Sequence, residues 1–174
     1  MDRQLIRRAF VAFAILAASL FVLGMSGRPP PLRPGVEVPG FSLPDPSGRT
    51  VGLDSYRGRP VLIHFWASWC KPCRKELPEI EAAYRDLRQQ GLEVLAVNAG
   101  DDPQTAQAFA ERLGLTFPIL LDENWDTATA YGVIGLPITF FVSRDGKVMD
   151  VVAGGTLTRT SLAGKLRELN MILP

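Results

Sequence analysis

FWASWCKPC, residues 65–73, is the stretch of sequence that decides the fold, and it contains both cysteines of the chain, Cys70 and Cys73. Just upstream, Val61–Trp66 reads VLIHFW, a short apolar run typical of a strand buried on both faces. Downstream, apolar residues recur at helical spacing, which predicts a helix over about residues 70–90. The cysteine pair is therefore predicted to lie where a buried strand turns into a helix.

A helix N-terminus favours thiol chemistry, because its unpaired N–H groups and partial positive charge stabilise a thiolate. The side chains of Lys71 and Arg74 add positive charge nearby. Cys70, at the exposed first turn, is therefore predicted to be the attacking thiolate. Cys73, one turn deeper, is predicted to resolve the mixed disulfide that forms.

Three other interpretations of the cysteine pair stay open on the residues alone. The pair could be a structural disulfide, although so short a loop constrains the unfolded chain little. It could be half of a zinc site, but the chain has no second cysteine pair and His64 is its only histidine. It could also be a chance pair of buried cysteines. We expect redox chemistry, with no metal and no cofactor beyond the disulfide.

The rest of the chain alternates strand and helix patterns. The predicted elements are an opening hairpin (41–43 and 50–53), strands at 92–97 and 117–121, a helix capped by Asp101 or Asp102 and ended by Gly114, a short helix at 126–131, a hairpin (139–142 and 148–153) and a last helix at 161–169. This order predicts an α/β domain with a mixed central sheet flanked by helices.

The N-terminus predicts a membrane segment. Arg3, Arg7 and Arg8 precede an uncharged apolar run, and no convincing signal-peptidase site ends that run. An uncleaved anchor is therefore favoured over a cleaved signal peptide, with the arginines on the cytoplasmic side. The predicted domains are a signal-anchor or transmembrane segment (1–27), a proline-rich linker (28–35) and a globular domain (36–174). This arrangement predicts a single-pass protein of the cytoplasmic membrane with its domain on the periplasmic side.

The composition excludes some classes of partner. The chain has 174 residues and a formal net charge of +1, with 47% hydrophobic and 21% charged residues. This is the composition of an ordinary globular protein, and no basic patch suggests nucleic-acid binding.

Residues 65–73 resemble the active-site strand and turn of thioredoxins, and more closely those of the membrane-anchored TlpA/ResA/CcmG group. Pro78 matches the proline of the active-site helix, and GLPIT, residues 135–139, matches the loop that carries a cis-proline in this fold. The resemblance implies a thioredoxin fold with a helical insertion after residue 101. It also implies an extracytoplasmic enzyme that reduces protein disulfides, with apocytochrome c or a maturation factor as substrate and a membrane thiol protein as electron donor.

The resemblance also implies roles for individual residues. Pro137 would be the cis-proline and, with Leu136, would face the cysteines and pair with the substrate backbone. Trp69 would line the docking surface beside Cys70. Glu76 matches a glutamate that relays a proton near the thiols, but a solvated helix glutamate stays an open alternative.

His64 departs from thioredoxins, which have a buried aspartate six residues before the first cysteine. Successive side chains of a strand point to opposite faces, so His64 shares a face with Leu62 and Trp66 and is predicted to be buried. It would act either as a base or as a hydrogen-bonded core histidine.

The neighbours of Glu76 on the helix, Lys75, Glu79 and Glu81, are predicted to be surface charges.

Three alternative functions stay open. With the same chemistry, the chain could be an oxidant that forms disulfides. It could instead be a non-enzymatic metal chaperone that holds copper between the thiolates, although no further soft ligand is nearby. A binding module that has lost catalysis is disfavoured by the intact WCKPC and Pro137.

Overall fold

A computed structural model of the protein describes residues 32–171. The predicted membrane segment (1–27) and residues 28–31 of the predicted linker lie outside this range. No helix within residues 32–171 is long and apolar enough to cross a bilayer.

Within the described residues, seven strands form two sheets. They are β1 (Ser42–Pro44), β2 (Thr50–Gly52), β3 (Val61–Trp66), β4 (Glu93–Ala99), β5 (Ile119–Asp122), β6 (Ile138–Val142) and β7 (Val148–Ala153). The first two form the predicted antiparallel hairpin, and the other five form one sheet in the order β5-β4-β3-β6-β7. Within it, β3, β4 and β5 are parallel, whereas β6 and β7 pair antiparallel. The predicted mixed central sheet is thus confirmed.

In the part of the chain that the structure describes, four α-helices cover the two faces of this sheet: α1 (Cys73–Leu87), α2 (Pro103–Arg112), α3 (Asp126–Ala130) and α4 (Arg159–Glu168). Side chains of α1, α2 and α4 share one apolar cluster, and α3 contributes to a second cluster on the opposite face. The central strand β3 supplies both clusters: Leu62 and Trp66 face the first, whereas Ile63 and Phe65 face the second.

The topology brings several loops to one edge of the sheet. The carboxyl ends of the parallel strands β3, β4 and β5 lie there, and so does the amino end of the antiparallel β6. Ala153, the last residue of β7, pairs with Ile138 at the same edge. The loops that follow β3, β4 and β7 and the loop that precedes β6 therefore border one surface.

Element boundaries differ from the predicted ones by a few residues. Helix α1 begins at Cys73 instead of Cys70, with Pro72 as its N-cap. It ends at Leu87, and the last residues of the predicted helix, Arg88–Gln90, form a 3₁₀ turn. Strand β5 begins at Ile119, after Pro118, because a proline has no N–H to donate to a sheet. Of the two aspartates considered as cap of α2, Asp102 is the one that accepts from the Thr105 N–H.

Candidate active site

Cys70 and Cys73 are joined by a disulfide directly after β3, with their Cα atoms 5.3 Å apart. The backbone N–H of Cys73, the first residue of α1, donates to the Cys70 Sγ at 3.3 Å. An unpaired helical N–H therefore points at the sulfur that would become the attacking thiolate, and it would stabilise the negative charge.

The expected exposure of Cys70 is wrong. The residue is only 4% exposed and packs in the apolar cluster beneath α1, and it lies before the helix rather than in its first turn. The segment after β7 approaches the turn between the two cysteines closely. At Gly155, a Cβ atom would lie 2.6 Å from the Pro72 Cβ, so only glycine fits against the turn between the cysteines.

The Leu136–Pro137 peptide bond is cis, as the resemblance implied. The Pro137 carbonyl accepts from the Gly154 N–H at 2.9 Å, and the next residue, Gly155, contacts Pro72. The cis-proline loop, the segment after β7 and the cysteine turn are thereby joined along one surface.

Two large apolar side chains on this side of the sheet are exposed to solvent. Trp69 is 58% exposed beside Cys70, and Ile134 is 82% exposed three residues before Pro137, while Leu136 is half-buried. The sequence interpretation included Trp69 and Leu136 but missed Ile134, because a single isoleucine in a loop carries no signal of its exposure.

Glu76 is buried, so the alternative of a solvated surface glutamate is wrong. The residue is 2% exposed and lies on the same face of α1 as Cys73. One oxygen, Oε1, accepts from the Leu157 N–H at 2.8 Å, and Oε2 has no hydrogen-bond partner among residues 32–171. Burial raises the pKa of Glu76 to about 7, although the hydrogen bond from Leu157 acts in the opposite direction.

Glu81 is also buried, contrary to its predicted place among the surface charges. Its carboxylate accepts from both the N–H and the hydroxyl of Thr116, at 2.8 and 2.7 Å, and forms an ion pair with Arg85. These contacts tie α1 to the segment before β5, so Glu81 supports the fold and not the chemistry.

His64 is fully buried, as the alternation along β3 predicted. Its Nδ1 lies 2.9 Å from the Oγ1 of Thr139, the residue directly opposite it on β6, and Nε2 has no partner among the described residues. Burial lowers the pKa of His64 to about 3. The imidazole is therefore neutral throughout the physiological pH range and is a weak base.

Comparison with known proteins places this geometry in a family. The model of the AhpC/TSA family matches residues 34–151, which is more than half of the chain. The chain belongs to the AhpC/TSA family. In this chain the CxxC disulfide follows β3 and the cis-proline directly precedes β6.

The relatives of this AhpC/TSA-family chain indicate its activity. It is 36% identical over 170 residues to the thiol-disulfide oxidoreductase ResA of Geobacillus thermodenitrificans, covering 97% of both chains. It is 33% identical over 175 residues to the protein of the same name from Bacillus subtilis, covering 97% of this chain and 95% of the other.

A solved structure gives the same fold. It is assigned as a thiol:disulfide interchange protein DsbE of Chlorobium tepidum, with 31% identity and a TM-score of 0.71, and the match covers 80% of this chain and 96% of the other. The chain is thus a thioredoxin-like thiol–disulfide oxidoreductase with Cys70 and Cys73 as its close cysteine pair.

Proposed function

We propose that this chain is a membrane-tethered, extracytoplasmic reductant of protein disulfides. The observation that carries the proposal is the helix N–H directed at the Cys70 Sγ in a disulfide that adjoins a cis-proline loop. The tether and the compartment are supported by the arginine-flanked apolar run within residues 1–27. No cofactor is needed, because the dithiol itself carries the two electrons.

The reaction is a pair of thiol–disulfide exchanges. In the reduced protein the Cys70 thiolate attacks a substrate disulfide, forms a mixed disulfide and releases the first substrate thiolate. Cys73 then loses its proton and attacks the Cys70 sulfur, which breaks the mixed disulfide and releases the second substrate thiolate. Two electrons have moved to the substrate, and the Cys70–Cys73 disulfide must be reduced again by a membrane thiol protein.

Two buried groups could accept the proton from Cys73, and their environments favour Glu76. A base works best when its pKa lies near the operating pH. Glu76 has a pKa of about 7 and a free carboxylate oxygen on the helix face of Cys73. His64, with a pKa of about 3, binds a proton too weakly. We assign proton transfer to Glu76 and a packing role, through Thr139, to His64.

The substrate would lie along the cis-proline loop. Neither the N–H nor the carbonyl of Leu136 has a backbone hydrogen-bond partner in the described part of the chain, so both are free to pair with an extended peptide. Pro137 would hold this pairing edge beside the cysteines, and Trp69 would provide an apolar contact at the other side of the sulfur.

Cytochrome c maturation supplies a substrate of suitable chemistry. An apocytochrome c haem-attachment site is a Cys-x-x-Cys-His segment, which must be reduced before haem is attached. Such a segment is short and unfolded, so it can adopt the extended conformation that the Leu136 edge requires.

A peptide substrate tests this proposal. The full-length protein, fully reduced and in detergent, is mixed with a disulfide-bonded Cys-x-x-Cys-His peptide, and thiols on both partners are counted after acid quenching. We expect the peptide to become reduced and the protein to become oxidised, with Cys70→Ser as the inactive control. The converse mixture, oxidised protein with reduced peptide, tests the alternative: if the peptide disulfide forms there while the first mixture does not react, the chain is an oxidant. Tight copper binding without electron transfer in either mixture would make it a metal chaperone.

A further inference from the structure

Asp101 lies at the edge of the sheet where β4 ends, two residues after Ala99, and it does not cap α2. It is 7% exposed, and its carboxylate accepts three hydrogen bonds. Oδ2 accepts from the Ser68 N–H and from the Asn98 side-chain amide, both at 2.7 Å, and Oδ1 accepts from the Ser68 hydroxyl at 2.8 Å. Asp101 thereby connects the loop after β4 with the loop that leads into Cys70.

Ser68 is held on its other side by the helix that follows the cysteines. The Nε of Arg74 donates to the Ser68 carbonyl at 3.0 Å, and its guanidinium lies over the Phe109 ring, 5.6 Å from the centroid. The N–H, the hydroxyl and the carbonyl of Ser68 are therefore all engaged by groups outside its own turn. The next residue is Trp69, and the Cys70 N–H closes the turn on the Ala67 carbonyl at 3.2 Å.

A carboxylate suits the position of Asp101, because three donors converge on its two oxygens. An asparagine could keep the two bonds at one oxygen, but its NH₂ group would face the Ser68 hydroxyl, which would then have to accept instead of donate, and the bonds would lose the strength that the carboxylate charge gives them. The backbone of Asp101 is held as well, because the Asp101 N–H donates to the Asn98 side-chain oxygen at 3.1 Å. Gly100, at φ +91°, leaves no room for a side chain, since a Cβ would lie 2.6 Å from Trp125 Nε1.

We propose that Asp101 is a positioning residue for thiol–disulfide exchange, which holds Ser68 so that Trp69 and Cys70 meet the substrate in one orientation. The exchange requires the attacking sulfur to approach along the axis of the disulfide it breaks, so reactivity depends on how narrowly the Cys70 segment is oriented. A surface tryptophan beside the sulfur can guide a protein substrate only if its own backbone is fixed. The three hydrogen bonds on Ser68 provide that fixation from outside the reacting segment.

The test compares Asp101→Asn with Asp102→Asn. Both variants lose one negative charge, and the two positions are adjacent, but the Asp102 side chain caps α2 through Thr105 and makes no hydrogen bond to Ser68. Two rates are measured on each reduced full-length protein, both at about pH 7: disulfide exchange with insulin, and alkylation of Cys70 by iodoacetamide, whose rate follows the fraction of Cys70 present as thiolate.

For Asp101→Asn we expect insulin exchange to slow about tenfold while alkylation changes less than about threefold, because alkylation needs a thiolate but little orientation. The Asp102→Asn protein should match the wild type in both rates. A loss of exchange and alkylation by the same factor would show that Asp101 acts on thiolate formation and would overturn the proposal. Equal insulin rates for Asp101→Asn and Asp102→Asn would overturn it as well.

Ser68→Ala keeps the test decisive if Asp101→Asn does not fold. It removes only the hydroxyl donor of a half-buried residue, so the N–H bond to Asp101 remains. We expect insulin exchange to slow about threefold, again with alkylation nearly unchanged. In the double variant the insulin rate should be no lower than in Asp101→Asn alone, since both changes act through one contact. A Ser68→Ala protein with the wild-type insulin rate would contradict the proposal.

Discussion

Replacement of Cys70 by serine is expected to lower the rate of insulin reduction by on the order of a thousandfold or more, to the uncatalysed rate. A serine hydroxyl neither ionises near neutral pH nor forms a bond to sulfur, so no mixed disulfide can begin. The helix N–H that contacts the Cys70 Sγ would then have no thiolate to stabilise. The measurement is the initial rate of insulin reduction with excess dithiothreitol, at equal protein concentrations.

Cys73→Ser is the matched variant, because it removes the resolving thiol and leaves the attacking one. It should react once with a disulfide substrate and then accumulate as a stable mixed disulfide, which is detected by mass. The assigned order of attack is wrong if Cys70→Ser accumulates that adduct and Cys73→Ser does not.

The second large effect is expected at Glu76. Replacing it with glutamine should slow disulfide exchange about a hundredfold at pH 7, since the buried carboxylate can no longer accept the proton of Cys73. In the wild type the exchange rate should rise with pH through about 7, as Glu76 ionises. In Glu76→Gln that rise should disappear and leave only the increase caused by thiol ionisation at higher pH. The rates are measured from about pH 5, below the ionisation of Glu76, to about pH 9, above that of an ordinary thiol at about 8.5.

His64→Asn is the control for this experiment. Asparagine retains a polar group that can contact Thr139 but is no base in this pH range. We expect a rate profile that still rises through about pH 7. Loss of that rise in a stable His64→Asn protein, with the rise retained in Glu76→Gln, would transfer the proton-acceptor role to His64.

The stability of the oxidised protein gives an independent readout of Glu76. Its pKa is about 7 in the folded protein against the ordinary value of 4.5 for a glutamate. Between these values the folded state binds more protons than the unfolded state, so the free energy of unfolding falls as the pH rises. The total loss across this window should be about 3 kcal/mol, and Glu76→Gln should lack it.

Local sequence patterns predicted the parts of the fold that depend on nearby residues. The bounds of β3, Val61–Trp66, follow from a continuous apolar run, and they agree with the structure. The Leu136–Pro137 cis bond came from resemblance, since a proline after a leucine does not by itself distinguish a cis from a trans peptide. Burial of His64 followed from strand alternation, which fixes the face but not the partner across the sheet.

The burial of Glu76, Glu81 and Asp101 could not be predicted in the same way. Each carboxylate is held by donors distant in sequence: the Leu157 N–H for Glu76, Thr116 for Glu81 and Ser68 for Asp101. On a helix or in a loop these residues have the same local pattern as solvated charges. Their environment is set by the topology that brings the loops together, and no local pattern encodes it.

The equilibrium reduction potential of the Cys70–Cys73 couple tests the proposed role as a reductant most directly. The full-length protein is equilibrated with defined ratios of reduced and oxidised glutathione, and the oxidised fraction is read by thiol alkylation. We expect a strongly reducing couple, with a reduction potential close to that of thioredoxin, which is about −270 mV. A value near the about −120 mV of a disulfide-forming oxidant would contradict the account.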